Sequence, residues 1–177
     1  MVHPRTYVMH NTQYPVSMLV QDINNGTDNE TEPQYILDQD YQRGHVWDTQ
    51  RKQNLICSIT MGLPIGVLVI NGRTWHDENF ANTKGHIPFG KAVIDGKQRI
   101  SAIRGFYSDE FSVPADWFEK NKLEHGFDRA EVYFSELSDA GKLWFGNRPV
   151  PVSVAQLENI EQERRVFELI NFGGVDQ

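Results

Sequence analysis

The sequence predicts a mixed α and β protein, with a small sheet and several surrounding helices, on three observations. Apolar, β-branched runs of strand length alternate with stretches of helical periodicity: "IGVLVI" at 65–70 follows one amphipathic pattern and "KAVI" at 91–94 leads into another. The helical stretches carry their own start and stop residues. Ten Phe, six Tyr and four Trp in 177 residues supply the bulk for one core, so a single domain spanning 1–177 is expected.

The elements follow in chain order. "PVSMLVQDINNG" makes a short helix with Leu19, Val20 and Ile23 on one face, stopped by Asn25-Gly26, and residues 24–33 read as a polar loop. A strand is expected around Tyr35 to Leu37, then a polar loop holding Tyr41, Gln42, Arg43 and Trp47. The next helix is capped by Asp48 or Thr49, has Leu55, Ile56 and Ile59 as its stripe, and ends at Gly62 before Pro64. "IGVLVI" suits a strand covered on both faces, and 71–90 a long hairpin loop or insertion. The strand "KAVI" runs into a helix with Ile100, Ile103 and Phe106 apolar. Pro114 is expected in the first turn of a helix through Trp117 and Phe118, "RAEVYF" as a strand, and Ser138 as the cap of a short turn. The two prolines of "RPVPVSVA" predict an edge strand or an extended segment. The last helix is capped by Asn159, carries Ile160, Val166, Phe167 and Ile170, and stops at Gly173-Gly174.

Seventeen basic against twenty-four acidic residues leave a net charge of −7, which argues against a protein that coats DNA through its whole surface. Residues 91–104 run the other way: Lys91, Lys97, Arg99 and Arg104 against Asp95 leave four minus one, or +3. Cys57 is the only cysteine, which excludes an internal disulfide and a cysteine-based structural zinc site. "MVHPRTYVMHNTQ" lacks the order of a signal peptide and "GLPIGVLVI" is too short to cross a bilayer, so a soluble, cytoplasmic protein with no membrane partner is expected.

The chemistry concentrates at the strand-to-helix turn Asp95-Gly96-Lys97-Gln98-Arg99. A helix N-terminus presents backbone donors to an anion, Arg99 brings a planar fork and Lys97 a compact charge, and Gly96 lets the backbone approach a ligand. Asp95 can hold a metal ion or orient a water, and Gln98 can hydrogen-bond a nucleophile or a base. The plain alternative is that Asp95 caps the helix and the cations are solvated. Arg43 offers a second fork, or else a surface ion pair with Asp40 or Asp48. Trp47 and Tyr41 either stack on a base or pack beneath their loop, Trp47 as a staple into the core. His76, Asp77 and Glu78 are adjacent in sequence and read as a solvated loop, not a metal site. No Walker motif, Gly-x-Ser-x-Gly elbow or His-x-x-x-His is present. The turn Asn171-Phe172-Gly173-Gly174 either borders a pocket or is an ordinary helix stop.

Three motifs in order, "YQRGHVWDTQRKQNLICSITMGLPIGVLVI", "VIDGKQRISAI" and "FELINFGG", resemble the N-terminal domain of GmrSD-type modification-dependent restriction enzymes, over about Tyr35 to Gly174. That family is similar to the wider ParB/sulfiredoxin-like superfamily. The resemblance implies a compact ParB/sulfiredoxin-like α+β fold, a small mixed sheet with surrounding helices, whose Asp-Gly-x-x-Arg turn holds the phosphates of a nucleotide. It implies catalytic roles for Asp95, Gln98 and Arg99. Phosphate or nucleotide contacts fall on Gln42, Arg43, Gly96, Lys97, Asn171, Gly173 and Gly174, with Lys97 standing where the family often has Gln.

The expected function is therefore hydrolysis or transfer of the terminal phosphate of an NTP, ATP or GTP, with Mg2+ held at Asp95 through the bound nucleotide, in DNA modification, defence or anti-defence. The family continues into a helical region and a nuclease domain, whereas this sequence ends at Gln177 without a His-Asn-His motif, so cleavage by this polypeptide alone is not expected. Three alternatives remain open. One is a non-catalytic DNA-binding module, or a subunit of a modification-dependent restriction system, in which Arg43, Lys97, Arg99 and Arg104 grip the backbone and Trp47 or Trp75 stacks. Another is a kinase acting on a hydroxyl of modified DNA or of a small molecule. The third is a protein-interaction domain. Expected partners are the nucleotide, DNA, a nuclease or other defence subunit, and a second copy of the chain.

Overall fold

The computed structural model describes residues 7–24, 35–37, 39–42, 46–83 and 85–172. In chain order the elements are β1 (Met9–Pro15), α1 (Val16–Asn24), β2 (Tyr35–Ile36), α2 (Thr49–Met61), β3 (Leu68–Gly72), β4 (Lys91–Asp95), α3 (Lys97–Tyr107), β5 (Val113–Pro114), β6 (Glu131–Val132), α4 (Asp139–Gly146), β7 (Pro149–Ala155) and α5 (Ile160–Phe172). Five strands make a mixed sheet in the order β1-β7-β3-β4-β2, and β5 pairs with β6 in a separate two-stranded sheet. The mixed α and β class expected from the sequence is what forms.

The sheet carries apolar side chains on both faces because β3 and β4 lie inside it. Leu68 and Ile70 of β3 and Val93 of β4 join a large core with Val16 and Leu19 of α1, Ile56 and Ile59 of α2, and Ile100, Ile103 and Phe106 of α3. The alternate residues, Val69 and Ile94, meet Ala155, Leu157 and Val166 of α5 on the other side. This is the period-two alternation of a strand, used twice. Helices α1, α2 and α3 thus cover one face and α5 the other.

The helix signals act as read. Asp48 Oδ1 accepts from the Arg51 amide at 2.8 Å, and Gly62 closes α2 in the left-handed region, φ 73°. Asn159 Oδ1 accepts from the Gln162 amide at 3.0 Å at the start of α5. The stops at Asn25-Gly26 and at Gly173-Gly174 lie outside the described residues.

Four elements differ from expectation. β1 was not foreseen: "MHNTQYP" has no apolar alternation, and six of its seven residues stay exposed, so pairing with β7 makes it a strand. β7 itself is an inner strand, not an edge. Pro149 and Pro151 are tolerated because β3 joins β7 only from Val152 onward, so the ladder lacks a partner on that side where the two N–H groups are missing. Pro114 ends β5 and precedes a single 3-10 turn, Ala115–Trp117, in place of a helix through Phe118. Ser138 caps a two-turn helix: its Oγ accepts from the Gly141 amide at 3.2 Å.

The aromatic end of the larger core gives a pH prediction. Tyr107 stacks on Phe134 with ring centroids 3.9 Å apart, and burial pushes its hydroxyl up to about 12. A group whose folded value is raised contributes stability below its unfolded value, near 10, and loses it as pH rises toward the folded value. Unfolding free energy should therefore fall between pH 10 and about 12. Tyr107→Phe should flatten that decline in denaturant titrations across this range; an unchanged slope would place the loss elsewhere.

Candidate functional site: a cleft over two helix N-termini

β4 delivers Asp95 to the end of the sheet, Gly96 turns the chain at φ 100°, and α3 starts at Lys97. Gly96, the N-cap of this 11-residue helix, has no side chain to cap it, and no side-chain cap hydrogen bond forms there among the described residues. The plain reading of Asp95 as a cap does not hold. Its Oδ2 instead accepts from Arg99 Nη2 at 2.6 Å, in the first turn of α3, while Arg99 Nη1 donates to the Ile65 carbonyl at 3.0 Å.

Gly96 has a structural reason beyond ligand approach. A Cβ there would stand 2.2 Å from Leu68 Cδ2, which is wholly buried, and 3.3 Å from the Arg99 fork. Only glycine accepts both the positive φ and the packing.

The N-terminus of α2 comes to the same place. Gln98 Oε1 accepts from the Trp47 backbone N–H at 3.1 Å, tying the loop before α2 to the first turn of α3. From the other side the end of α5 brings Phe167 and Asn171. Between them lies a cleft of about 470 Å³, lined by Gln42, Trp47, Arg51, Ile94, Asp95, Gly96, Lys97, Gln98, Arg99, Phe167 and Asn171. Eight of these lining residues were singled out in the sequence.

Gln42 ties its loop to the sheet: Nε2 donates to the carbonyls of Val93 at 2.6 Å and Ile94 at 3.0 Å, while Oε1 is buried with no donor. A buried acceptor left without a donor among the described residues is uncommon, and it belongs to a residue that lines this cleft. Asn171 Nδ2 is turned back onto the Phe167 carbonyl at 2.8 Å. Trp47 packs its body against the core while its ring carries the Arg51 guanidinium at 4.7 Å, so it is both staple and wall.

Tyr41 stands behind the wall, not in it. Its ring lies 5.4 Å from that of Phe167, and its hydroxyl donates to Glu163 Oε2 at 3.2 Å. Burial first, and then the Glu163 carboxylate, push that hydroxyl well above the ordinary tyrosine range. Glu163 is the hub of a fully buried network. Arg73 donates from Nε to Oε1 at 2.9 Å and from Nη2 to Oε2 at 2.7 Å, and Asn71 Nδ2 donates to Oε1 at 2.8 Å. Arg73 also reaches Gln39 Oε1 at 3.1 Å, and its guanidinium lies 4.2 Å from the Phe80 ring centre. This network fixes α5 and the loop of Gln39 to Gln42, and so fixes two walls of the cleft.

The +3 run of 91–104 is dispersed by its geometry. Lys97 and Arg99 line the cleft, but Lys91 sits at the far end of β4 over the Tyr14 and Tyr35 rings, and Arg104 Nε donates to the Leu19 carbonyl at 3.2 Å. Trp75, 80% exposed, is on the β3–β4 connection at the Lys91 end of the sheet. Arg43, Gly173 and Gly174 lie outside the described residues. Sequence reasoning missed Arg51, Phe167 as a wall, and the Arg73–Glu163 pair. The adjacency of Arg51 to the Asp48 cap was the available signal for the first; nothing local marks the last.

A metal ion would find one carboxylate lining the cleft, Asp95, whose Oδ1 accepts nothing from a described residue. No group of three metal-ligating side chains forms among the described residues. Such a site fits Mg2+ that arrives on phosphate oxygens and keeps most of its waters. Among the described residues no helix is long and apolar enough to cross a membrane. The family model for the GmrSD restriction endonuclease N-terminal domain matches residues 16–176. No curated protein and no solved structure matches the chain, so the ParB/sulfiredoxin-like assignment rests on the sequence motifs.

Proposed function

Because the chain belongs to the GmrSD restriction endonuclease N-terminal domain family, and so to a restriction system, we propose that its cleft binds a nucleoside triphosphate with Mg2+ and hydrolyses the terminal phosphate or transfers it to an acceptor. The observation that carries this reading is the uncapped N-terminus of α3 on the floor of the cleft, with Lys97 and Arg99 in its first turn. Backbone amides and cations gathered at one point suit a phosphate group, and phosphoryl transfer needs little from a protein beyond positioning and charge stabilisation. The unpaired Gln42 Oε1 suits the donors that a ribose or a base brings.

In this reading the α3 amides and Lys97 neutralise the phosphate charge. Asp95, held in place by Arg99, offers its free oxygen to Mg2+ or to the attacking water or hydroxyl. Asp95 would hold Mg2+ that arrives with the nucleotide, and the chemistry this ion would supply is charge stabilisation of the phosphate. Gln98 keeps its amide NH2 for the nucleophile, since its carbonyl is engaged by Trp47.

The test is to incubate the protein with labelled ATP or GTP and Mg2+, with and without DNA, beside Asp95→Asn and Arg99→Ala. Free phosphate, or label moved to DNA, should fall about a hundredfold or more in both variants, in line with the loss of one preorganised electrostatic group. Undiminished turnover in Arg99→Ala would sink the assignment. Absence of turnover in wild type, with DNA binding that weakens as salt is added, would move the protein to the binding-module reading.

A further inference from the structure

Arg99 is not positioned to be the phosphate fork of the cleft. Its two terminal nitrogens are committed, one to Asp95 at 2.6 Å and one to the Ile65 carbonyl at 3.0 Å, so it and Asp95 together bring no net charge. Lining the same cleft is a second guanidinium with no such commitment. Arg51 is exposed, no carboxylate among the described residues pairs with its guanidinium, and that guanidinium lies over the face of Trp47 at 4.7 Å.

Its place in α2 is costly for the helix. Arg51 and Lys52 sit in the first turn, where the macrodipole is positive, and that turn contains no acid. The first turns of α2 and α3 both border the cleft, joined by the Trp47 to Gln98 hydrogen bond. The first turn of α3, without a side-chain cap bond, and an uncommitted guanidinium thus border one cleft in a chain of net charge −7, while the N-terminal end of α2 is met by its Asp48 cap. Helix stability would favour an acid there, whereas a polyanion in the cleft would favour the cation found.

We infer that Arg51 is the phosphate-binding arm of the cleft, moving from the Trp47 face onto the polyphosphate of the ligand, and that Arg99 is a positioning residue acting through Asp95. The inference rests on the nucleotide reading above and names the side chain that recognises the charge. The stack on Trp47 holds the guanidinium at the rim and limits its rotamers, so less freedom is lost on binding.

Calorimetric titration with sodium tripolyphosphate and Mg2+, then with ATP, GTP and their nucleosides, tests it on wild type, Arg51→Ala, Arg51→Lys and Arg99→Ala. Arg51→Ala should weaken tripolyphosphate and triphosphate binding about tenfold to a hundredfold, the worth of a charge-assisted hydrogen bond, with no loss in melting temperature. Arg51→Lys should recover only part, because it restores charge but not the fork, and Arg99→Ala should affect turnover more than affinity. Wild-type affinity for both triphosphates in Arg51→Ala would overturn the inference and leave the nucleotide reading standing. Tripolyphosphate binding that depends on Arg51, without any binding of ATP or GTP, would do the reverse. No binding of any polyphosphate by wild type would overturn both.

Discussion

Replacing Glu163 with alanine should lower the free energy of unfolding by about 3–5 kcal/mol, the range for removing one partner of a buried ion pair. The size comes from what is left behind. Arg73 and Glu163 are both fully buried at 2.7 Å, and without the carboxylate the guanidinium keeps its charge with no other acid paired to it among the described residues. Asn71 and Tyr41 lose an acceptor in the same step. Chemical denaturation measures it directly. Pairing Glu163→Leu with Arg73→Met should destabilise less than either single change, since an apolar pair leaves no orphaned charge. A loss below about 1 kcal/mol in Glu163→Ala would mean that water reaches Arg73 and that the pair is no anchor. Glu163→Ala should also impair ligand binding, because α5 and the loop of Gln39 to Gln42 lose their common tie.

Gly96→Ala should cost about 2–5 kcal/mol, from two sources that can be separated. A side chain at φ 100° pays the left-handed penalty of about 1–2 kcal/mol. The rest comes from forcing a methyl to within 2.2 Å of Leu68 Cδ2, an overpacking term of about 1–3 kcal/mol. Leu68→Ala removes the obstacle but not the backbone strain. In a double-mutant cycle the two changes should therefore couple favourably by about the steric part and leave the conformational part. Additive effects would show that Leu68 moves aside freely.

The legible parts of this protein are those specified within one or two helical turns. The cap at Asp48, the left-handed stop at Gly62 and the cap at Asn159 each involve residues close in sequence, and each acts as its residue type requires. The strand-to-helix turn from Asp95 to Arg99 was visible for the same reason, as was its place beside Gln42, Trp47 and Asn171 once three motifs were read together. What the local pattern did not reveal was how the charges would be shared. Asp95 could equally have capped α3; it pairs with Arg99 because the turn at Gly96 brings the end of β4 back beside the first turn of α3, with the Ile65 carbonyl positioned to take the other arm.

The sequence by itself determined helices α1, α2, α3 and α5, the inner strands β3 and β4, and the turn that carries the chemistry, because periodicity, capping and β-branching act over short distances. The tertiary structure alone decided the rest. β1 is a strand only because β7 offers it a ladder, and β7 accepts two prolines only because β3 begins where they end. Lys91 and Arg104 leave the cleft because a strand and a helix carry them away from it, and Arg51 enters because α2 docks beside α3. Arg73 meets Glu163 across 90 residues of chain. A buried charge must find its counter-charge in space, and no local pattern records where in the chain that partner lies.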